Sequence, residues 1–201
     1  MSIACGLLLV NASCSNTGQQ KEENEVADSL ETVRSIASGD SALIYKSSTN
    51  NWIASSVQSN IDWSRFHLED FWSDDSLNKR PYTPEHDFYK DYAQLLKWSP
   101  DSNYVLDLGS YGVAIVKDKN GKPKIESGDV DTEVALVDPK SKTRTRLLFF
   151  GPSTTVVDGR WLDSAQVAIL GLNHEKPNEQ PDTVLWVIDV KEKFFRKYKW
   201  E

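Results

Sequence analysis

The residues best suited to chemistry in this chain are few and scattered. Its three histidines, His67, His86 and His174, lie far apart and in no metal-ligand spacing. His67-Leu68-Glu69-Asp70 is the one local pairing of imidazole with carboxylate. In an extended strand His67 and Glu69 share a face, which offers an acid–base pair or two metal ligands but no third group. A solvent-facing edge accounts for the same residues. Glu69-Asp70 and Asp74-Asp75 flank Trp72, and paired carboxylates beside aromatic rings are equipment for glycoside hydrolysis. A polar loop explains them more simply. No serine sits in a Gly-x-Ser-x-Gly elbow and no glycine-rich phosphate loop is present. The expectation is therefore a protein with no catalytic residue, no metal and no cofactor.

The seven tryptophans are the better candidates for recognition. Trp98 and Trp161 occupy matching positions of an internal repeat, and Trp186 sits inside an apolar strand, so these three are expected in the core. Trp52, Trp63 and Trp72 remain as candidate ligand contacts, together with Trp200 near the C-terminus. Exposed rings of this kind stack on sugars or anchor a protein partner. Ordinary core packing is the alternative for each.

The N-terminus speaks to location. Ile3-Ala4-Cys5-Gly6-Leu7-Leu8-Leu9-Val10 is a short apolar run, followed by Asn11-Ala12-Ser13-Cys14 and then a polar, acidic stretch to Glu25. The run is too short to span a bilayer, which takes about 20 residues. No basic segment precedes it, so the start codon is expected upstream. The order of these segments resembles a bacterial lipoprotein signal peptide, with the loosened cleavage box found in Bacteroidota. Asn11 departs from the apolar residue usual at that position; Ala12 and Ser13 fit. The resemblance implies cleavage after Ser13, lipidation of Cys14, and anchoring in the outer membrane on its periplasmic or outer side. The expected organisation is a signal peptide over 1–13, a tether over 14–40 and a β-rich domain over 41–201.

Composition narrows the classes further. The 201-residue chain has a net charge of −7, which disfavours sequence-independent nucleic-acid binding because phosphate neutralisation requires Lys and Arg. Processing would leave Cys14 as the only thiol, so no disulfide can form and a packed core must hold the domain.

The patterned segments favour strands. Ala42–Tyr45, Trp52–Val57 and Ile61–Trp72 read as strands. Thr83-Pro84 reads as the opening of one helix near residues 84–97, with Phe88, Tyr92, Leu95 and Leu96 on one face. Asn120-Gly121 between Val113–Lys117 and Lys124–Glu126 reads as a two-residue hairpin turn. A duplication is visible, with copies over 98–150 and 161–201. From Asp101 and Asp163 onward the offset is 62, and from Asp138 and Asp189 it is 51. Each copy runs Trp, Asp-Ser turn, apolar strand ending in Gly, loop, apolar strand ending in Asp, charged turn, basic strand. This resembles a blade of the propeller repeats in periplasmic Tol-system proteins and WD-repeat relatives. The resemblance implies antiparallel, propeller-like hairpin sheets, here in an open or partial arrangement, with Thr143–Arg146 and Arg196–Lys199 as exposed outer edges. The functional expectation is a non-catalytic, membrane-anchored envelope lipoprotein serving as a platform for another envelope protein. The alternative is a surface lipoprotein that binds a glycan or small ligand.

Overall fold

The computed structural model describes residues 17–47, 49–56, 63–77, 79–128, 130–174 and 179–200. Cys14 and the apolar run before it lie outside the described residues. The chain divides into two compact units, Met1–Ile36 and Ala37–Glu201. The described part of the first is the opening of helix α1, which spans Thr17–Lys46. The segment read as a tether is thus helical from Thr17 onward.

The second unit is mainly β, with antiparallel sheets. Its strands are β1 (Phe66–Ser73), β2 (Lys79–Pro81), β3 (Leu96–Trp98), β4 (Val105–Asp107), β5 (Val113–Lys117), β6 (Pro123–Ser127), β7 (Thr132–Asp138), β8 (Thr143–Phe150), β9 (Thr154–Trp161), β10 (Gln166–Asn173), β11 (Asp182–Asp189) and β12 (Phe194–Trp200). They form a first sheet in the order β2-β8-β7-β4-β3, a second in the order β1-β12-β11-β10-β9, and the separate hairpin β5-β6. Each large sheet is a four-strand meander with one strand from earlier in the chain added beyond its last member.

The two meanders agree in register. One row across the first sheet runs Trp98, Val105, Val137, Arg144, Arg80. The matching row of the second runs Trp161, Val167, Ile188, Phe195, Trp72. The turns match too. Asp138 Oδ1 accepts the amides of Lys140 and Ser141 at 3.0 and 2.8 Å, and Asp189 Oδ1 accepts those of Lys191 and Glu192 at 3.0 and 2.9 Å. Lys142 and Lys193 then each adopt φ of 52°. A short carboxylate that caps its own turn favours this geometry.

The sheets stack face on face. Leu106, Leu108, Val134 and Leu136 of the first meet Val167, Ile169, Trp186 and Phe195 of the second. Gly159 makes the close approach possible: a Cβ there would stand 2.6 Å from Leu108 Cδ2. The far face of the second sheet, with Ala168, Leu170, Val187 and Tyr198, is covered by Ile44, Trp52, Ile53 and Trp63. The far face of the first carries Val105 and Val137 under Phe88, Tyr82, Tyr89 and Tyr92. Equivalent residues of the two copies therefore point the same way along the stack.

Several expectations are corrected. Ala42–Tyr45 belongs to α1, and Trp52–Ser56 belongs to helix α2 (Thr49–Ser56). Short apolar runs do not separate helix from strand by period. Here Trp52 and Ile53 are neighbours and both buried, which a one-sided strand does not allow. Helix α1 also passes through Gly39. The glycine costs about 1 kcal/mol, and burial of Ile44 together with the bonds made by Asp40 offsets it.

The helix expected over 84–97 shrinks to one turn, α3 (Phe88–Asp91), without a side-chain cap. Leu96 to Trp98 instead pair with β4 as a strand, and tertiary pairing overrides the helical period. The hairpin turn at Asn120-Gly121 has three residues rather than two, because Asp118 N–H still donates to Lys122 O at 2.9 Å. Gly121 takes the left-handed position at φ 76°. Finally, β8 and β12 are not edges: β2 and β1 cover them.

Candidate functional site

Where β3 and β9, the edge strands of the two sheets, come together, they form an open cleft lined by Lys97, Trp98, Pro100, Gly159, Arg160 and Trp161. The Ser99-Pro100-Asp101 turn shapes one wall. Ser99 Oγ donates to Asp101 Oδ1 at 2.7 Å and accepts the Tyr104 amide at 3.0 Å. Trp98, expected in the core, is instead 49% exposed, with its ring 5.5 Å from that of Tyr89. The reason is positional. In the second copy the Trp161 face is covered by the first sheet, whereas among the described residues the corresponding face of the first copy carries only the Tyr82–Tyr92 segment. Trp161 is half-buried and donates its Nε1–H to Lys97 O at 2.8 Å.

Cationic and aromatic groups alternate along this cleft. Lys97 pairs with Asp158 at 3.1 Å, and Asp158 also accepts the Trp52 indole N–H at 2.7 Å. Burial works against the Asp158 charge. The Trp52 and Gly159 hydrogen bonds and Lys97 outweigh it and hold the carboxyl below its usual range. Arg160 lies over the Trp52 ring at 5.4 Å.

The tryptophans offered as ligand contacts lie elsewhere. Trp52, on helix α2, and Trp63 are buried against the far face of the second sheet. Trp72 is half-buried and stacks on Phe195 with centroids 5.1 Å apart and planes at 7°. The acidic residues do not converge. Glu69 pairs with Lys197 at 2.7 Å, Asp70 caps the Phe71 amide, and Asp74 caps Ser76. His86 pairs with Asp87 at 3.2 Å on the surface. Among the described residues no three His, Cys, Asp or Glu side chains group as metal ligands.

Two buried ionic clusters escaped the sequence reading. On the far face of the first sheet, Arg144 Nε donates to Glu133 Oε1 at 2.8 Å and its Nη1 to Asp107 Oδ2 at 2.6 Å. Arg80 Nη2 and Arg146 Nε also reach Glu133, at 2.8 and 2.6 Å. Burial raises the cost of charge on Glu133, but the Arg144 and Arg146 hydrogen bonds prevail and its carboxyl titrates below the usual range. On the helix side, Asp40 Oδ2 accepts from Arg196 Nε at 2.7 Å and from Tyr198 Oη at 2.6 Å. There burial wins, and the Asp40 carboxyl is pushed up. A signal for the first cluster was present in the aligned copies: Asp107, Glu133 and Arg144 stand where the second copy has Ile169, Val184 and Phe195.

The chain was compared with protein-family models, curated proteins and solved structures. It matches none of them.

Proposed function

We propose that this chain is a bacterial envelope lipoprotein, anchored to the outer membrane through Cys14, whose stacked sheets serve as a non-catalytic docking platform for another envelope protein. The observation that carries the reading is the half-exposed Trp98, held against Tyr89 at the rim of a cleft shared with Trp161 and Arg160. Exposed indole and guanidinium groups are the side chains most often found at the centre of protein interfaces. The cleft is open and bordered by edge strands, which suits an extended peptide segment. The two sheets are read as consecutive propeller-type blades in an open pair. Their shared order and register and their front-to-back stacking support this. The helices and the Tyr82–Tyr92 segment cover the faces where further blades would stack.

Two experiments test the parts separately. Cys14→Ala should abolish palmitate labelling and release the protein from membranes; unchanged labelling would remove the anchor from the reading. A photo-crosslinking residue placed at Pro100, in the same cleft as Trp98, should capture one protein of defined mass in cells, and Arg160→Glu should reduce the yield. The glycan alternative rests on the same ring: quenching of Trp98 fluorescence by an envelope oligosaccharide, with no protein captured, would favour it.

A further inference from the structure

The two copies of the repeat differ most on one face. In the second sheet, Ile169, Val184 and Phe195, with Trp72 from the added strand, make an apolar surface against the neighbouring sheet. In the first sheet the equivalent positions are Asp107, Glu133, Arg144 and Arg80. Among the described residues neither large sheet covers them; the Tyr82–Tyr92 segment lies on this face instead. In front of Arg80 and Arg144 lies a cavity of about 410 Å³, walled by Tyr82, Phe88, Tyr92 and Tyr111 and bordered by Ser110. Such a volume falls within the ordinary range for small-molecule sites, about 300–1,000 Å³.

Two guanidiniums, of Arg80 and Arg144, and one exposed carboxylate, Glu85, are among the residues lining the cavity. The buried Asp107 and Glu133 hold Arg144 from outside that lining, and Glu133 also takes Arg80 and Arg146. Arg144 is almost wholly buried, and Asp107 and Glu133 hold it through its Nε and Nη1, which fixes the plane of its fork. Arg80 gives a single Nη2 to Glu133 and is half-exposed. A guanidinium has five N–H donors, so both arginines keep donors for an incoming group. A fork held rigid by buried carboxylates is preorganised for a planar or tetrahedral oxyanion. The ring of Tyr82, 5.3 Å from the Arg144 guanidinium, and the phenol walls suit an apolar or aromatic body.

We propose that this cavity binds a small organic oxyanion, its carboxylate or phosphate head on Arg80 and Arg144 and its body among Tyr82, Tyr92 and Tyr111. The site is separate from the Trp98 cleft and independent of the docking role. The test is calorimetric titration of the full chain with benzoate, phenyl phosphate and inorganic phosphate at fixed ionic strength. Saturable binding of benzoate or phenyl phosphate is expected, and the stronger of the two names the head group. Arg80→Gln should weaken it by about tenfold or more, the loss of one charge-assisted contact, with the circular dichroism spectrum unchanged. Tyr111→Ala should weaken benzoate or phenyl phosphate and leave inorganic phosphate as in wild type. The proposal fails if neither organic anion binds saturably up to millimolar concentration, or if Arg80→Gln binds as wild type does.

Discussion

The same strand order and register carry two different interiors in this molecule. On the second sheet the row Trp161, Val167, Ile188, Phe195, Trp72 is apolar and closed by a neighbouring sheet. On the first sheet the row Trp98, Val105, Val137, Arg144, Arg80 ends in guanidiniums and faces a cavity. The backbone is indifferent to this exchange. Pairing and turns are fixed by main-chain bonds and by the Asp138 and Asp189 caps, so the side chains of the outward face are free to specialise. The first copy keeps the strand order and register of the second and carries charged side chains where the second carries apolar ones.

Breaking the ionic face should have the largest effect. Arg144→Met leaves Asp107 and Glu133 buried without their shared partner and should cost about 3–5 kcal/mol in urea unfolding. Giving the first copy the second copy's residues, Asp107→Ile, Glu133→Val and Arg144→Phe together, should recover most of that loss, because apolar replacement of a buried ion cluster is often neutral or better. If the triple variant is as unstable as the single one, the two faces are not interchangeable.

The repeat tryptophans come next. Trp161→Ala removes a half-buried ring and its bond to Lys97 and should cost about 2–4 kcal/mol, toward the lower end for aromatic truncation. Gly159→Ala forces a methyl group against Leu108 in the sheet–sheet contact and should cost about 1–3 kcal/mol. Differential scanning calorimetry of both variants would rank them.

A pH titration separates the two ionic clusters by sign. Glu133 is held below its ordinary value, so its contribution is present above about pH 4.3 and is lost as pH falls through the lowered value. Asp40 is raised, so its contribution is present at low pH and is lost as pH rises through the raised value. Glu133→Gln should flatten the acid decline of Tm, and Asp40→Asn should steepen it. The smallest effect is expected at Trp98, where Trp98→Ala should change stability by less than about 0.5 kcal/mol while removing crosslinking or ligand capture at the cleft.

Much of the β architecture was legible. The strands β4, β7, β10 and β11 are apolar runs, and Asp138 and Asp189 close β7 and β11 locally through their turns; β10, expected to end at Gly171, runs on to Asn173. The stretch from Ala42 to Ser56 was not, because four- to six-residue apolar runs carry no period long enough to choose between helix and strand. What decides there is the distant surface on which Ile44, Trp52 and Ile53 pack. The burial of Arg144 was illegible for a similar reason. Its partners lie 11 and 37 residues away, and a basic strand read alone looks like a solvated edge. The exposure of Trp98 depends on the absence of a covering sheet, which no local pattern records.

The bonds from Asp40 to Arg196 and Tyr198 cross 156 and 158 residues of chain, and among the described strands β1 pairs with β12 alone. During synthesis, the earliest elements of this unit are thus made long before the strand that completes them. Until residues 194–200 emerge, Trp63 and Phe66 lack Tyr198 beneath them, and the helices have no ionic partner to dock against. Such long-range closure is slow relative to local folding. The second sheet and its helix cover are therefore completed only when the last strand is made. A chain that lacks β12 leaves β1 without its strand partner and Asp40 without Arg196 and Tyr198.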